Sequence, residues 1–251
     1  MSFLKKLFGQ KSAPSVQPAF DAAIQSDEPL FVIGDVHGCD VLLNQLLAKR
    51  PDDAQLIFVG DLVDRGPNSA AVLDIVQSEC QNGAICLMGN HEKMMLDFLD
   101  RPTERGPRWL TFGGLQTMES FGIRGISERA SEQELLAARD KLASAMPAGQ
   151  ESWIRDLPTI HHSGNVHVVH AAADPNRAPD DQNARILLWG LDEFHQKTRR
   201  DGQWFIYGHT ILNDPKIENG RIGIDTGAYA TGTLTAVLIR DDQAQFFSVK
   251  Y

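Results

Sequence analysis

Three short polar blocks, each set directly behind an apolar run, constrain this chain more than any other feature. They are Gly34-Asp35-Val36-His37-Gly38, Gly60-Asp61-Leu62-Val63-Asp64-Arg65-Gly66 and Gly89-Asn90-His91-Glu92. Leu30-Phe31-Val32-Ile33 leads into the first, Gln55-Leu56-Ile57-Phe58-Val59 into the second, and Ala84-Ile85-Cys86-Leu87-Met88 into the third. Short apolar runs rich in β-branched and aromatic residues and ending in Gly read as buried strands. Helical patterns follow, as in Val41-Leu42-Leu43 with Leu46-Leu47. The polar residues therefore sit where strands end and helices begin, the edge at which open α/β sheets bind ligands.

The residue types in the blocks define the chemistry. Asp, His and Asn offer oxygen and imidazole ligands, with no thiolate among them, a set suited to Mn, Fe or Zn. Asp35 and His37 are two apart on an extended segment, so both can turn toward one point beyond the strand. Asp61, from the next strand, has two carboxylate oxygens with which to bridge two ions. Flanking glycines permit tight turns and close backbone approach.

The blocks resemble the signature of the metallophosphoesterases, and within them the phosphoprotein phosphatase family of serine/threonine phosphatases: G-D-x-H-G, G-D-x-x-D-R-G and G-N-H-E. The likeness extends over most of residues 30 to 240. A stretch from Trp109 through Gly113-Gly114, Thr117 and Ser120-Phe121-Gly122 is similar to one found in bacterial members. The resemblance implies a four-layer α/β-β/α sandwich of two mixed sheets. It also implies two divalent metal ions, manganese first, with iron or zinc as alternatives. Asp35 and His37 would hold one ion, Asn90, His170 and His209 the other, and Asp61 both. His170 and His209 lie in the matching contexts V-H-A and G-H-T. His91 would be the general acid, oriented by Asp64, and Arg65 with Asn90 would bind substrate phosphate.

The implied activity is metal-dependent hydrolysis of phosphomonoesters on phosphorylated proteins or peptides, by a metal-activated water with a His acid. The alternative is hydrolysis of dinucleoside polyphosphates by relatives with the same metal motifs. Those relatives usually show G-N-H-D and lack the Asp of D-R-G, so Glu92 and Asp64 favour the phosphatase. A catalytically impaired phosphate-binding module is the third reading. Two departures stand out: Met88 and Leu191 occupy positions where the family often has phosphate-binding arginines. Arg65 is left as the only guanidinium placed by a motif.

Outside the blocks, a Pro/Ser/Gln-rich start reads as a flexible tail over residues 1–25, followed by one domain over 26–251. The basic, amphipathic first residues suggest weak contact with a membrane surface. Residues 100–160 read as a helical insertion or cap, with Leu135, Leu136, Ala138, Leu142 and Met146 forming one apolar stripe. Closely spaced strands from residue 161 onward suggest a second, more antiparallel sheet. The formal charge of −9 argues against non-specific nucleic-acid binding. Three cysteines, Cys39, Cys80 and Cys86, form no disulfide framework and fit a reducing, cytoplasmic compartment. Four further histidines, His161, His162, His167 and His195, match no motif. The sequence leaves the oligomeric state open.

Overall fold

A computed structural model describes residues 20–251 of the chain. The tail expected over residues 1–25, with its membrane contact, lies outside the described residues up to residue 19. From Phe20 onward the chain is fastened to the fold. The Phe20 ring packs edge-on against Trp204 at 5.0 Å, and Trp204 Nε1–H donates to Ala22 O at 3.0 Å. Gln25 N–H donates to the Asn165 side-chain Oδ1, and Gln25 O accepts the Asn165 N–H, each at 2.8 Å. Phe20 and Ile24 find apolar seats that the polar composition around them conceals.

The described residues form two five-stranded sheets. The first runs β10-β9-β1-β2-β3. Here β1 (Leu30–Ile33), β2 (Gln55–Phe58) and β3 (Ile85–Cys86) are parallel, while β9 (Thr233–Arg240) lies antiparallel to β1 and β10 (Gln243–Lys250) antiparallel to β9. The second runs β4-β5-β6-β8-β7, from β4 (Ile160–Ser163), β5 (Val166–Val169), β6 (Trp204–Tyr207), β7 (Lys216–Glu218) and β8 (Arg221–Gly223).

Alternation along the strands makes the layers. Leu30, Val32, Ile57 and Val59 meet Val166, Val168, Ile206 and Ile222 in the core between the sheets. Phe31, Ile33, Leu56 and Phe58 point the other way, onto α1 (Asp40–Leu47), α2 (Ser69–Gln81) and α3 (Asn90–Asp100). Phe205 and Tyr207 turn to the far side of the second sheet, against α8 (Ala184–Trp189) and α9 (Asp192–Gln196). The result is the expected four-layer α/β-β/α sandwich. No helix among the described residues is long and apolar enough to cross a membrane.

Three details differ from the sequence reading. The second sheet has a parallel centre, β5-β6-β8, with antiparallel strands only at its edges. The crossover from β5 to β6 carries α8 and α9, and parallel neighbours require such a crossover. β9, read with the second group of strands, instead covers the open edge of β1 in the first sheet. Residues 100–160 are helical as expected: α4 (Pro102–Trp109), a wide turn over Leu110–Gly114, α5 (Leu115–Ser120), α6 (Glu132–Ala145) and α7 (Gln150–Arg155). On α6, however, Leu135, Ala138 and Leu142 are buried while Leu136 is 42% exposed. Adjacent residues on a helix diverge by about 100°, so only one of Leu135 and Leu136 shares the inner face.

Candidate active site

Strand ends from both sheets deliver the motif residues to one place. Asp35 follows β1, Asp61 follows β2 and Asn90 opens α3 beyond β3, while His170 follows β5 and His209 follows β6. Asp61 sits at the middle. His37 Nε2 lies 3.5 Å from its Oδ2, and His170 Nε2 lies 3.4 Å from its Oδ1. Asn90 Oδ1 is 2.9 Å from His170 Nε2. Asp35 accepts the backbone N–H of His209 on both oxygens, at 3.1 and 2.9 Å. Two triads have ligand atoms close enough to share a metal ion, His37–Asp61–His91 and Asp61–His170–His209. Asp61 belongs to both. Asp35 joins neither triad, and His91, read as the acid, falls in the first.

Second contacts aim the imidazoles. His37 Nδ1 lies 2.7 Å from Val63 O, and His170 Nδ1 lies 3.1 Å from Val59 O. A carbonyl can only accept, so in His37 the proton sits on Nδ1 and the Nε2 lone pair faces Asp61. His170 has acceptors at both nitrogens, Val59 O and Asn90 Oδ1, an arrangement that a cation beside Nε2 would satisfy. Burial lowers His37 to about 3 and His170 to about 4, with the Asp61 carboxylate opposing it in both, and it lowers His209 as well. Metal ligands must be deprotonated, and these shifts all favour the neutral ring. The carboxylates are crowded. Burial, then Asp225 and Asp61, push Asp35 well above the usual range, and burial raises Asp225 to about 6. Among the described residues, Arg65, half-buried, brings the one fixed positive charge to this cluster. Bare imidazole nitrogens beside mutually repelling carboxylates fit divalent cations with nitrogen and oxygen ligands.

His91 is set apart from the ligand rings by its partner. Its Nδ1 is 2.6 Å from Asp64 Oδ2, and its Nε2 is 4.0 Å from Asp61 Oδ2. Burial works against charge on His91, but Asp61 and Asp64 outweigh it and raise the imidazolium pKa. Burial raises Asp64 too, partly offset by donors from His91, Thr117 and Trp109. Both shifts keep a proton on the pair. Asp64 makes no salt bridge to Arg65. It is fully enclosed, accepting Thr117 Oγ1–H at 2.6 Å and Trp109 Nε1–H at 3.1 and 3.0 Å. Glu92 secures the adjoining loop by accepting four backbone N–H groups, from Asp61, Leu62, Val63 and Gly89, at 2.7 to 3.1 Å.

The backbone here is strained. Eight described non-glycine residues have positive φ, and five of them are His37, Asp61, Asp64, Arg65 and His209. Each costs about 1–3 kcal/mol, and such strain clusters at functional sites. Gly208 and Gly89 are required by close approach: a Cβ on the first would meet Asp35 Oδ1 at 1.9 Å, and one on the second would meet Asp61 N at 2.2 Å.

Arg65 lies at the mouth, its Nη1 3.3 Å from both His37 Nε2 and Tyr229 OH, with its guanidinium 4.9 Å from the centre of the Tyr229 ring. Met88 does not face the site. It is enclosed in the core between the first sheet and its helices, so the missing arginine there is replaced by packing. Leu191 likewise packs beside Leu187 and Phe194. His167 turns away from the centre, stacked on Phe205 and bonded to Gln203.

Four residues were missed as contributors to the site. Asp225 carries the same signal as the recognised carboxylates, an acid just past a strand end. Trp109 and Thr117 were noted in a motif without a role, because their partner, Asp64, is remote in sequence. Tyr229 carries no local signal.

The comparisons agree with this geometry. The description "Calcineurin-like phosphoesterase" matches residues 28–212. The chain is 31% identical to serine/threonine-protein phosphatase 1 of Salmonella typhimurium, covering 84% of this chain and 92% of that protein. It is 29% identical to the bis(5'-nucleosyl)-tetraphosphatase PrpE [asymmetrical] of Oceanobacillus iheyensis, covering 87% and 90%. A metallophosphoesterase structure from Sphaerobacter thermophilus superposes with a TM-score of 0.53 at 18% identity, over 89% of each chain, a likeness of fold alone. With its two sheets, its Asp61-centred cluster and a family match over most of its length, the chain belongs to the calcineurin-like phosphoesterases.

Proposed function

We propose that the chain hydrolyses phosphate esters at the Asp61 cluster, with His91 as general acid and Arg65 and Asn90 holding substrate phosphate. The observation that carries this reading is the buried His91–Asp64 pair, 2.6 Å apart, placed beside a cluster of bare imidazoles and carboxylates. Asp35 and His37 are assigned to one divalent ion, Asn90, His170 and His209 to another, and Asp61 to both. The donor set suits manganese, iron or zinc, and the family resemblance puts manganese first. When bound, such ions supply Lewis acidity that draws charge from the phosphoryl oxygens and acidifies the attacking water.

The chain's own residues supply the remaining steps. Arg65 presents its in-plane N–H groups to phosphoryl oxygens. His91 is tethered through Nδ1 to Asp64, so its Nε2–H points to the Asp61 side. Water oxygen bonds to phosphorus and releases one proton to solvent, the bond to the leaving oxygen breaks, and His91 Nε2 gives that oxygen its proton and is reprotonated from solvent. For a monoester the products are inorganic phosphate and an alcohol.

Two substrate readings each have a supporting observation. The intact Asp64 and Glu92, with the likeness to the Salmonella phosphatase, favour phosphoserine and phosphothreonine in proteins, acted on by one cytoplasmic domain. The likeness to PrpE favours a dinucleoside polyphosphate. The test is a parallel assay of the manganese-loaded chain on an aryl phosphate, a phosphoserine peptide and diadenosine tetraphosphate. Hydrolysis of the aryl phosphate is expected. A preference of tenfold or more in kcat/KM, on the order of 1.4 kcal/mol, selects between the other two. A folded chain inactive on all three with Mn, Fe and Zn overturns the proposal.

A further inference from the structure

We infer that Arg108 is a second anion-binding position, which takes a non-scissile phosphate of a nucleoside polyphosphate held at the candidate site. The inference rests on the phosphohydrolase reading and narrows its substrate. Arg108 is exposed on α4, its guanidinium 5.5 Å from the centre of the Phe112 ring and 5.7 Å from that of Trp189. Arg101, just before α4, and Arg105, on it, are both paired with Glu104, whereas no described carboxylate lies within ion-pair distance of Arg108. Aromatic faces hold a guanidinium while leaving its N–H edge free for an anion.

The two rings belong to segments that touch opposite parts of the site. Phe112 precedes Gly113, whose carbonyl accepts the Arg65 backbone N–H at 3.3 Å. Trp189 precedes Gly190, where a Cβ would lie 3.9 Å from His209 Cδ2. Arg108 is thus joined through Phe112 to the segment bonded to Arg65 and through Trp189 to the segment beside His209, and it lines a small cleft with Asp97, Arg105 and Trp109. Arg65 lies over the Tyr229 ring and Arg108 over the Phe112 and Trp189 rings, and Phe112 shares one cavity wall with Arg65 and Tyr229.

Between Arg65 and Phe112 lies an open cavity of about 360 Å³, walled also by Tyr229, Gln116 and Glu128. Phe112 is 45% exposed and Tyr229 37%. The volume falls within the range of small-ligand sites, roughly 300–1,000 Å³. Exposed π-faces suit a planar base, as in stacking platforms for nucleotides. Glu128 repels phosphate and accepts from a ribose hydroxyl or an exocyclic amine, so the cavity suits the nucleoside and Arg108 the phosphate chain. A phosphoserine side chain brings one phosphate and no base, leaving Arg108 and both ring faces unused.

The test compares wild type, Arg108→Gln and Arg108→Lys, manganese-loaded, on diadenosine tetraphosphate and an aryl phosphate. Calorimetric binding of adenosine 5'-tetraphosphate serves as a second readout. Loss of a charge-assisted contact predicts a KM for the tetraphosphate roughly ten- to a hundred-fold higher in Arg108→Gln, with a rise for the aryl phosphate at least fivefold smaller. Arg108→Lys keeps the charge without the planar fork and falls between. Nucleotide binding should weaken in parallel with KM. An unchanged tetraphosphate KM and affinity overturns the inference, as does an equal rise for both substrates. If wild type is inactive on both substrates, the hydrolase reading fails, and the binding measurement still decides the role of Arg108.

Discussion

Replacing Thr117 by Val probes the buried support of the proposed acid. Thr117 Oγ1 donates to Asp64 Oδ1 at 2.6 Å and accepts the Asp64 N–H at 2.8 Å. Val keeps the shape and removes these two bonds together with the 3.1 Å contact to Ser69 Oγ. The N–H retains Ser69 Oγ at 3.0 Å, so the main loss is the bond to the carboxylate. Asp64 is fully buried, and water cannot take that place. A hydrogen bond to a charged group contributes about 1.5–3 kcal/mol. We expect Thr117→Val to lower stability by about 2 kcal/mol, and Tm by roughly 4–8 °C for a chain of this size. In an Asp64→Asn background the partner is neutral and the same substitution should cost about 1 kcal/mol, in the range of neutral bonds. Chemical denaturation of the four proteins completes a double-mutant cycle. Equal cost in both backgrounds would show that Thr117 matters only for packing, and the account of Thr117 as a donor to the Asp64 carboxylate would fail.

Other perturbations follow from the same contacts. His91→Asn should lower turnover of alkyl phosphates by roughly 10²–10⁴, the range for one general acid, and that of aryl phosphates less, because a good leaving group needs less protonation; equal losses on both would remove the acid role. Glu92→Gln sets an amide N–H₂ against backbone donors and should destabilise by about 3 kcal/mol, since each unsatisfied buried donor costs about 1–3; a Tm within a degree of wild type would contradict the four-bond geometry. Chelator treatment of the metal-loaded chain should lower its Tm, because ligands that bind only the native state stabilise it; an unchanged Tm would argue that the cluster holds no tightly bound ion.

Much of the site was legible because strand ends carry it. Apolar runs ending in Gly-Asp or Gly-Asn gave the positions of Asp35, Asp61 and Asn90, and the two later histidines followed the same rule. Asp225 obeyed it too and was passed over, since a single acid after a strand is common turn chemistry. The roles of Trp109 and Thr117 depend on contacts 45 and 53 residues away in sequence, which no local pattern encodes. Met88 illustrates the reverse case: its position next to Gly89 suggested a place in the site, but side chains alternate along an extended segment, and this one faces the core. The direction of the strands in the second sheet was misread because α8 and α9 are short, at six and five residues, and leave a weak helical period.

The central claim is that Asp61 joins two ions into one reactive cluster. Metal content measured by mass spectrometry on the manganese-loaded chain tests it most directly, read beside turnover of an aryl phosphate. The account predicts about two ions per chain, as in two-metal hydrolases, and loss of both binding and turnover in Asp61→Asn. An Asp61→Asn variant that keeps two ions and wild-type turnover would contradict it.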